Sequence, residues 1–310
     1  MASLGSMATC DFPDKSGHVM LDKLAFDVLA KFKLAESFSR RLAKYKAKKR
    51  LDSGNTVYMY SERQIADRNR KKARRLEKLR KSIKHLRSQV KRDLTSDDPQ
   101  KAMTALAVGL IDATAERVGS PASAKGNLNE DGEPHFGVTT WTKKHISFSK
   151  GTATIKYVGK SGVKHVKKVT DASLVKALRK AADCVGKEDC VFTLEKGSVG
   201  GPEVNAYLKT FGISAKDIRG LHCNQGMRAA LKVVRSKGGK LPEDKKEREK
   251  KLKAEFKEAL EEVAKDIGHE PSTLRSQYLV PSIESDYLSK GVVSEKMTKT
   301  TSAPYSYWRP

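Results

Sequence analysis

Apolar residues recur three and four positions apart over most of this chain, and the places where that period fails are as informative as those where it holds. Leu21, Leu24, Ala25, Val28, Leu29 and Phe32 line one face of a short predicted helix. A basic stretch follows, Arg40 to Arg50, with Leu42 and Tyr45 interleaved. Asp52-Ser53-Gly54-Asn55 marks a turn and Val57-Tyr58-Met59-Tyr60 a short strand. Ile65, Leu76, Leu79, Ile83, Leu86 and Val90 then trace one stripe along a long helix. Asp97-Asp98-Pro99 has the form of a helix start, an acidic cap followed by proline in the first turn. Met103, Leu106, Ala107, Leu110 and Ile111 carry that helix on, and the spacing predicts that it stops near Gly119, with Arg117 in its last turn, where the helix dipole favours a cation.

Residues 120–134 are rich in Gly, Asn, Pro, Ser and acids and read as a loop. Strand signals replace the helical period at Gly137–Trp141, His145–Phe148, Thr152–Val158 and Val163–Val169, punctuated by Gly151, Gly159 and Gly162. They predict a small antiparallel sheet whose last hairpin turns at Gly159-Lys160-Ser161-Gly162. Helical spacing returns at Leu174–Ala182 and Glu203–Phe211, and again from Ser214 through Met227 and Leu231 to Val234. Cys190–Leu194 is a short buried segment, and Glu243–Ile267 is densely charged yet keeps Leu252, Phe256, Leu260, Val263 and Ile267 on one face. The expected fold is α+β and mainly helical. It divides into a reduced N-terminal cap region at 1–60 with a short helix and strand, a main domain at 61–290 and a polar tail at 291–310.

Charge narrows the partner. The chain has 62 Lys+Arg against 37 Asp+Glu, a net +25 that suits a polyanion. No apolar run is long enough to span or anchor in a membrane, so nucleic acid is the expected partner. Between Ser61 and Thr95 fourteen Lys/Arg stand against four Asp/Glu, outside the apolar stripe. Arg68, Lys71, Lys72 and Arg74 are candidate phosphate contacts there, although a charge run can also be a solvated face. The N-terminus has no apolar segment with a basic flank, and the expectation is an intracellular, unsecreted protein. Cys10, Cys184, Cys190 and Cys223 show no CxxC pair and no zinc spacing with histidine, so free thiols are expected and no metal site.

The stretch with the most chemistry is Gly268-His-Glu-Pro-Ser-Thr-Leu-Arg-Ser-Gln-Tyr278. It places a histidine at a helix end, a proline that stops the helix, and a tyrosine nine residues after the histidine. A phenol can act as a covalent nucleophile, but at neutral pH it attacks phosphate only where cations stabilise the phenolate and the charge of the transition state.

The chain supplies cations in a characteristic order: Arg117 at a helix end, Lys160 in the Gly-Lys-Ser-Gly tip, Lys216-Asp-Ile-Arg219 at a helix start, then Gly268-His269-x-Pro271 and Tyr278. With Tyr58-Met-Tyr60 ahead of Asp67-Arg68-Asn69, Gly137-Val-Thr-Thr-Trp-Thr-Lys-Lys-His145-Ile and Tyr157-Val-Gly-Lys160, this resembles the type IB DNA topoisomerases in their small poxvirus-like and bacterial form, over roughly Val57 to Lys290. The resemblance implies the catalytic domain shared by topoisomerases IB and tyrosine recombinases. It implies Tyr278 as the nucleophile that holds a 3′-phosphotyrosine, Arg117 and Arg219 as clamps on the non-bridging oxygens, and His269 as a further donor. Lys160 would be the general acid for the departing 5′-oxygen, with Lys216 accessory to it. Tyr58, Tyr60 and Arg68 resemble DNA-touching positions, and the hairpin with Lys156, Lys160 and Lys164 would lie along the minor groove. Double-stranded DNA would be the substrate and a monomer the acting form, with no nucleotide, metal or other cofactor.

Two departures qualify the match. Ser120-Pro-Ala-Ser-Ala stands where the family usually continues with Asn-Glu and a tyrosine, and the segment ahead of Tyr58 is short for the family's β-rich N-terminal domain. A partial clamp would dissociate faster and respond more steeply to salt. Competing readings are a tyrosine recombinase, which usually carries His-x-x-Arg where this chain has Lys216-Asp-Ile-Arg219, and a non-catalytic basic architectural protein. No RRM or KH pattern supports an RNA-binding module.

Overall fold

The computed structural model describes residues 47–50, 56–60, 62–126 and 132–293. The expected helix at 21–32, the turn at 52–55, part of the loop at 120–134 and the tail beyond 293 lie outside them. The boundary between two compact units falls between Lys71 and Lys72.

In the first unit β1 (Ala47–Arg50) pairs antiparallel with β2 (Thr56–Met59), placing Tyr58 opposite Lys48. β1 forms from the basic stretch in which periodicity showed no strand. The Arg68 guanidinium lies 4.4 Å from the Tyr60 ring centroid, a cation–π contact at the start of α1 (Glu62–Asp93).

The second unit is mainly helical. Within it α1 buries Leu76, Leu79, Ile83, Leu86 and Val90, five of the six residues in the expected stripe, and from Arg74 on its outer faces keep the basic residues exposed. Next comes α2 (Pro99–Thr114). Asp98 caps it by accepting from the Gln100 and Lys101 N–H groups, and Pro99 occupies the first turn. Every residue from Thr104 to Asp112 of α2 is buried, as expected of a helix covered on all sides by neighbours. Those neighbours are α3 (Ala172–Asp183), α4 (Gly201–Lys209), α5 (Ala215–Lys237) and the strand Lys164–Val169.

α2 ends at Thr114 rather than near Gly119, because Ala115 turns into the left-handed region at φ 56°. Arg117 is therefore not in a last helical turn. Residues 117 and 118 bond sideways: the Val138 N–H donates to Arg117 O at 2.9 Å and the Thr139 N–H to Val118 O at 2.7 Å.

The sheet has three antiparallel strands in the order β3 (Ile146–Ser149), β4 (Thr152–Val158), β5 (Lys164–Val169). Gly137–Trp141 is not a fourth. Val138–Thr140 forms a 3-10 turn closed by Thr140 Oγ1, which accepts from the Gly137 N–H at 2.9 Å. The Val-Thr-Thr run that signals a strand instead supplies a hydroxyl to a turn. Ala153, Ile155, Tyr157, His165 and Val169 face the core, while Lys156, Lys164, Val166 and Lys168 are exposed.

α5 opens on a capping box between Ser214 and Asp217, and Asp217 also accepts from Arg75 Nε of α1 at 2.9 Å. α5 packs along α6 (Lys245–Ile267), whose buried stripe is the expected one. A last helix, α7 (Pro281–Lys290), was not visible as a period because its buried positions mix Ser282 and Asp286 with Ile283 and Tyr287. Cys184, Cys190 and Cys223 form no disulfide.

Candidate active site

The end of α6 organises the site. Gly268, at φ 74°, leaves the helix in the left-handed conformation, and the His269 N–H donates back to Ala264 O at 2.8 Å and the Gly268 N–H to Lys265 O at 3.3 Å. This is a Schellman motif, which delivers His269 just past the helix end, before Pro271 restarts the chain. Two cations use the remaining end carbonyls. Arg219 Nη2 donates to Ile267 O at 3.0 Å and Lys167 Nζ to Asp266 O at 2.7 Å, both favoured by the negative end of the helix.

Tyr278 closes a π-turn, Leu274–Tyr278, in which the Leu279 N–H donates to Leu274 O at 3.1 Å. Such turns often mark functional sites. The Tyr278 ring lies 4.6 Å from the His269 ring, and Lys216 Nζ and Arg219 Cζ stand 5.5 and 5.9 Å from its centroid. Lys216 also donates to Gln277 Oε1 at 3.4 Å. Arg117 Nη2 meets His269 Nδ1 at 3.2 Å.

Five of the six expected side chains, Arg117, Lys216, Arg219, His269 and Tyr278, thus converge from α2's exit loop, α5, α6's end and the π-turn. Lys160 forms no hydrogen bond or ion pair with them. It is exposed on a 3-10 turn, Lys160–Gly162, at the β4–β5 tip, which His135 steadies by accepting from the Gly162 N–H at 3.2 Å.

Electrostatically the site is cationic, and three of its donor atoms are left without partners. Arg219 is 2% exposed, yet its Nε and Nη1 have no partner, and neither has His269 Nε2. Buried donors are nearly always satisfied in folded proteins, so three left over on two side chains beside the same Tyr278 ring mark a place for an anion. Burial, and then the charge of Arg219, lowers the pKa of Arg117. Burial together with the Arg219 and Arg117 charges pushes His269 down to about 3. A guanidinium has no acceptor, so His269 Nδ1 must accept from Arg117, and the ring's proton sits on Nε2, the unpartnered atom. Among the described residues no group of three or more His, Cys, Asp or Glu is placed to hold a metal ion. No helix among them is long and apolar enough to cross a membrane.

Two positions escaped the sequence reading. Asn224 of α5 is fully buried and grips the Tyr278 segment from both sides, donating from Nδ2 to Tyr278 O at 2.9 Å and accepting at Oδ1 from the Val280 N–H at 2.9 Å. The available signal was an asparagine on the apolar side of a helix, between Leu221, Cys223 and Met227. Glu116, next to Arg117, carries a buried carboxylate bonded to His165, forty-nine positions away, and no spacing rule could have paired them.

Sequence comparison agrees with this architecture. The family described as eukaryotic DNA topoisomerase I, catalytic core, matches residues 61–292, more than half of the chain. The chain belongs to this family, that of the type IB DNA topoisomerases. A search of curated protein sequences finds no match.

Proposed function

We propose that this protein relaxes supercoiled DNA by cutting one strand through a 3′-phosphotyrosine at Tyr278 and resealing it, without ATP or a metal ion. The observation that carries the reading is the set of unpartnered buried donors on Arg219 and His269 beside the Tyr278 ring. A scissile phosphate fits there. Its non-bridging oxygens take hydrogen bonds from Arg117, Arg219 and the Nε2–H of His269 as the charge on the pentacoordinate phosphorus grows.

In the forward step the Tyr278 oxygen forms a bond to phosphorus, the bond from phosphorus to the 5′-oxygen breaks, and the phenolic proton passes to water. Lys160 gives its proton to the departing 5′-oxygen and recovers one from water, and Lys216, beside Tyr278, assists proton transfer at the same phosphate. Resealing reverses these steps, with the 5′-hydroxyl as nucleophile. The energy of the broken linkage is kept in the enzyme–DNA bond, so no nucleotide is consumed. Lys160 stands on an exposed turn, so its role requires the hairpin to be held against the DNA, where the exposed Lys156 and Lys164 would contact phosphates. Tyr58, Tyr60, Arg68, Lys71, Lys72 and Arg74 are proposed as further DNA contacts.

The family match favours the topoisomerase over a tyrosine recombinase, and DNA association follows from it. A monomer is proposed as the acting form. The test is relaxation of supercoiled plasmid in EDTA without ATP. Wild-type protein is expected to relax both supercoil signs and Tyr278→Phe to relax neither. Wild-type binding without relaxation would overturn the proposal.

A further inference from the structure

One ring touches the residue that precedes each of three site side chains. His165 Nδ1 lies 2.9 Å from Glu116 Oε1, and Glu116 precedes Arg117. The opposite edge of the same imidazole is pressed between two glycines. A Cβ added at Gly268 would stand 2.2 Å from His165 Cε1, and one added at Gly159 would stand 2.7 Å from Nε2. Gly268 precedes His269, and Gly159 precedes Lys160. The ring face stacks on Tyr157 with centroids 5.0 Å apart and planes 10° apart. The side chains of His165 and Glu116 are each 2% exposed.

The arrangement is stiff for identifiable reasons. A buried carboxylate needs charged or hydrogen-bonded partners. Glu116 has two, since Lys167 Nζ reaches the same Oε1 at 3.3 Å. Burial alone would raise the Glu116 pKa, but the hydrogen bond and charge of His165, with help from Tyr157 and Lys167, hold it down to about 2. Lys167 also bonds Asp266 O, so β5 is tied both to the exit of α2 and to the end of α6. Consecutive Cα atoms are 3.8 Å apart, so fixing residues 116, 159 and 268 fixes where Arg117, Lys160 and His269 begin.

We propose that His165 is the positioning residue that registers Arg117, Lys160 and His269 to one another around the scissile phosphate, with the Glu116 carboxylate orienting its ring. This rests on the strand-cleavage reading above. It also accounts for how Lys160, which forms no hydrogen bond or ion pair with the other site residues, is held relative to them. His165 supplies no atom to the reaction. Its effect is on geometry, where an error of about 1 Å can cost a hundredfold in rate.

The discriminating variant is His165→Asn. The asparagine amide can still donate to Glu116 from nearly the Nδ1 position, but the edge that fills the space between the two glycines is gone. Single-turnover cleavage by the full chain is measured on two DNAs, one with the ordinary 5′-oxygen at the scissile phosphate and one with sulfur in that bridging position. A thiolate departs without a proton, so the sulfur substrate removes the need for Lys160. His165→Asn is expected to cleave the oxygen substrate about a hundredfold more slowly than wild type. Sulfur should restore part of that loss and not all of it, because Arg117 and His269 are displaced as well. Non-covalent DNA affinity, read in a Tyr278→Phe background, should change by no more than about twofold, less than the loss of one phosphate contact. Wild-type rates on both substrates would overturn the proposal, as would complete rescue by sulfur or no rescue at all.

Gly159→Ala guards against a folding defect in His165→Asn. Its backbone needs no left-handed conformation, and its methyl group pushes the same ring from the Lys160 side, so the same partial rescue is expected. Full wild-type behaviour of Gly159→Ala would count against the proposal. Wild-type protein that cleaves neither substrate would instead overturn the strand-cleavage reading itself.

Discussion

In the proposed reaction His269 acts as a neutral hydrogen-bond donor. Its Nδ1 accepts from Arg117, so Nε2 carries the proton and points to no protein partner. Because its pKa falls to about 3 on folding, the unfolded chain binds a proton near the ordinary histidine value of about 6.5 while the folded one does not. The His269 contribution is neutral above about pH 6.5, and it destabilises the fold progressively as pH drops from there toward 3. In DNA-free protein the His269 ring resonances should show no titration between about pH 5 and 8, and a proton on Nε2. A glutamine amide can place N–H close to Nε2, so His269→Gln should keep a large part of the cleavage rate, whereas His269→Ala should lose about tenfold to a hundredfold. An NMR titration midpoint near 6.5, or equal losses in the two variants, would contradict this account. At this scale the sequence revealed residue types well. His269 and Tyr278 stood out by spacing and Arg117 only through the family resemblance, but the tautomer and the identity of Nδ1's partner arise only when the ends of α2 and α6 meet.

Tyr278 sits on a backbone element that one side chain holds in place. The π-turn leaves the Tyr278 carbonyl and the Val280 N–H to Asn224, which satisfies both from inside the core. Asn224→Ala would strand both backbone groups without a partner, at a cost of about 1–3 kcal/mol each before relaxation. The expected outcome is a lower melting temperature together with a cleavage rate reduced at least tenfold, since the proposed nucleophile loses its fixed backbone. Unchanged cleavage in a folded Asn224→Ala would remove the π-turn from the mechanism. Helices with one apolar stripe, α1 and α6, were legible because their buried sets recur at helical spacing. α7 was not, with Ser282 and Asp286 among its buried positions, and neither was the end of α2, where Ala115 turns left-handed without a glycine to announce it. Gly137–Trp141 misled for a third reason, since β-branched residues favour strands but also close turns through a threonine hydroxyl.

For the whole molecule, the net charge of +25 is the dominant property, and it ties affinity to salt. If the exposed Arg74 and Lys156 each neutralise a DNA phosphate, replacing either by alanine should lower the slope of log affinity against log salt by about one, with no change in sequence preference. Slopes equal to wild type would remove those residues from the interface. The candidate site was legible as an ordered set of motifs spread from Arg117 to Tyr278. The Glu116–His165–Lys167 cluster that lies behind three of its members was not, because a carboxylate beside an arginine and a histidine on a strand each look ordinary until β5 packs against both helix ends. The central claim is that Tyr278 becomes covalently joined to the 3′ end of a cut strand, and trapping that joint is its most direct test. DNA radiolabelled on the strand upstream of the break is incubated with protein in EDTA and quenched with SDS. The account predicts a labelled protein band with wild type and none with Tyr278→Phe. An adduct that persists in Tyr278→Phe, or one that carries only a label placed downstream of the break, would contradict it.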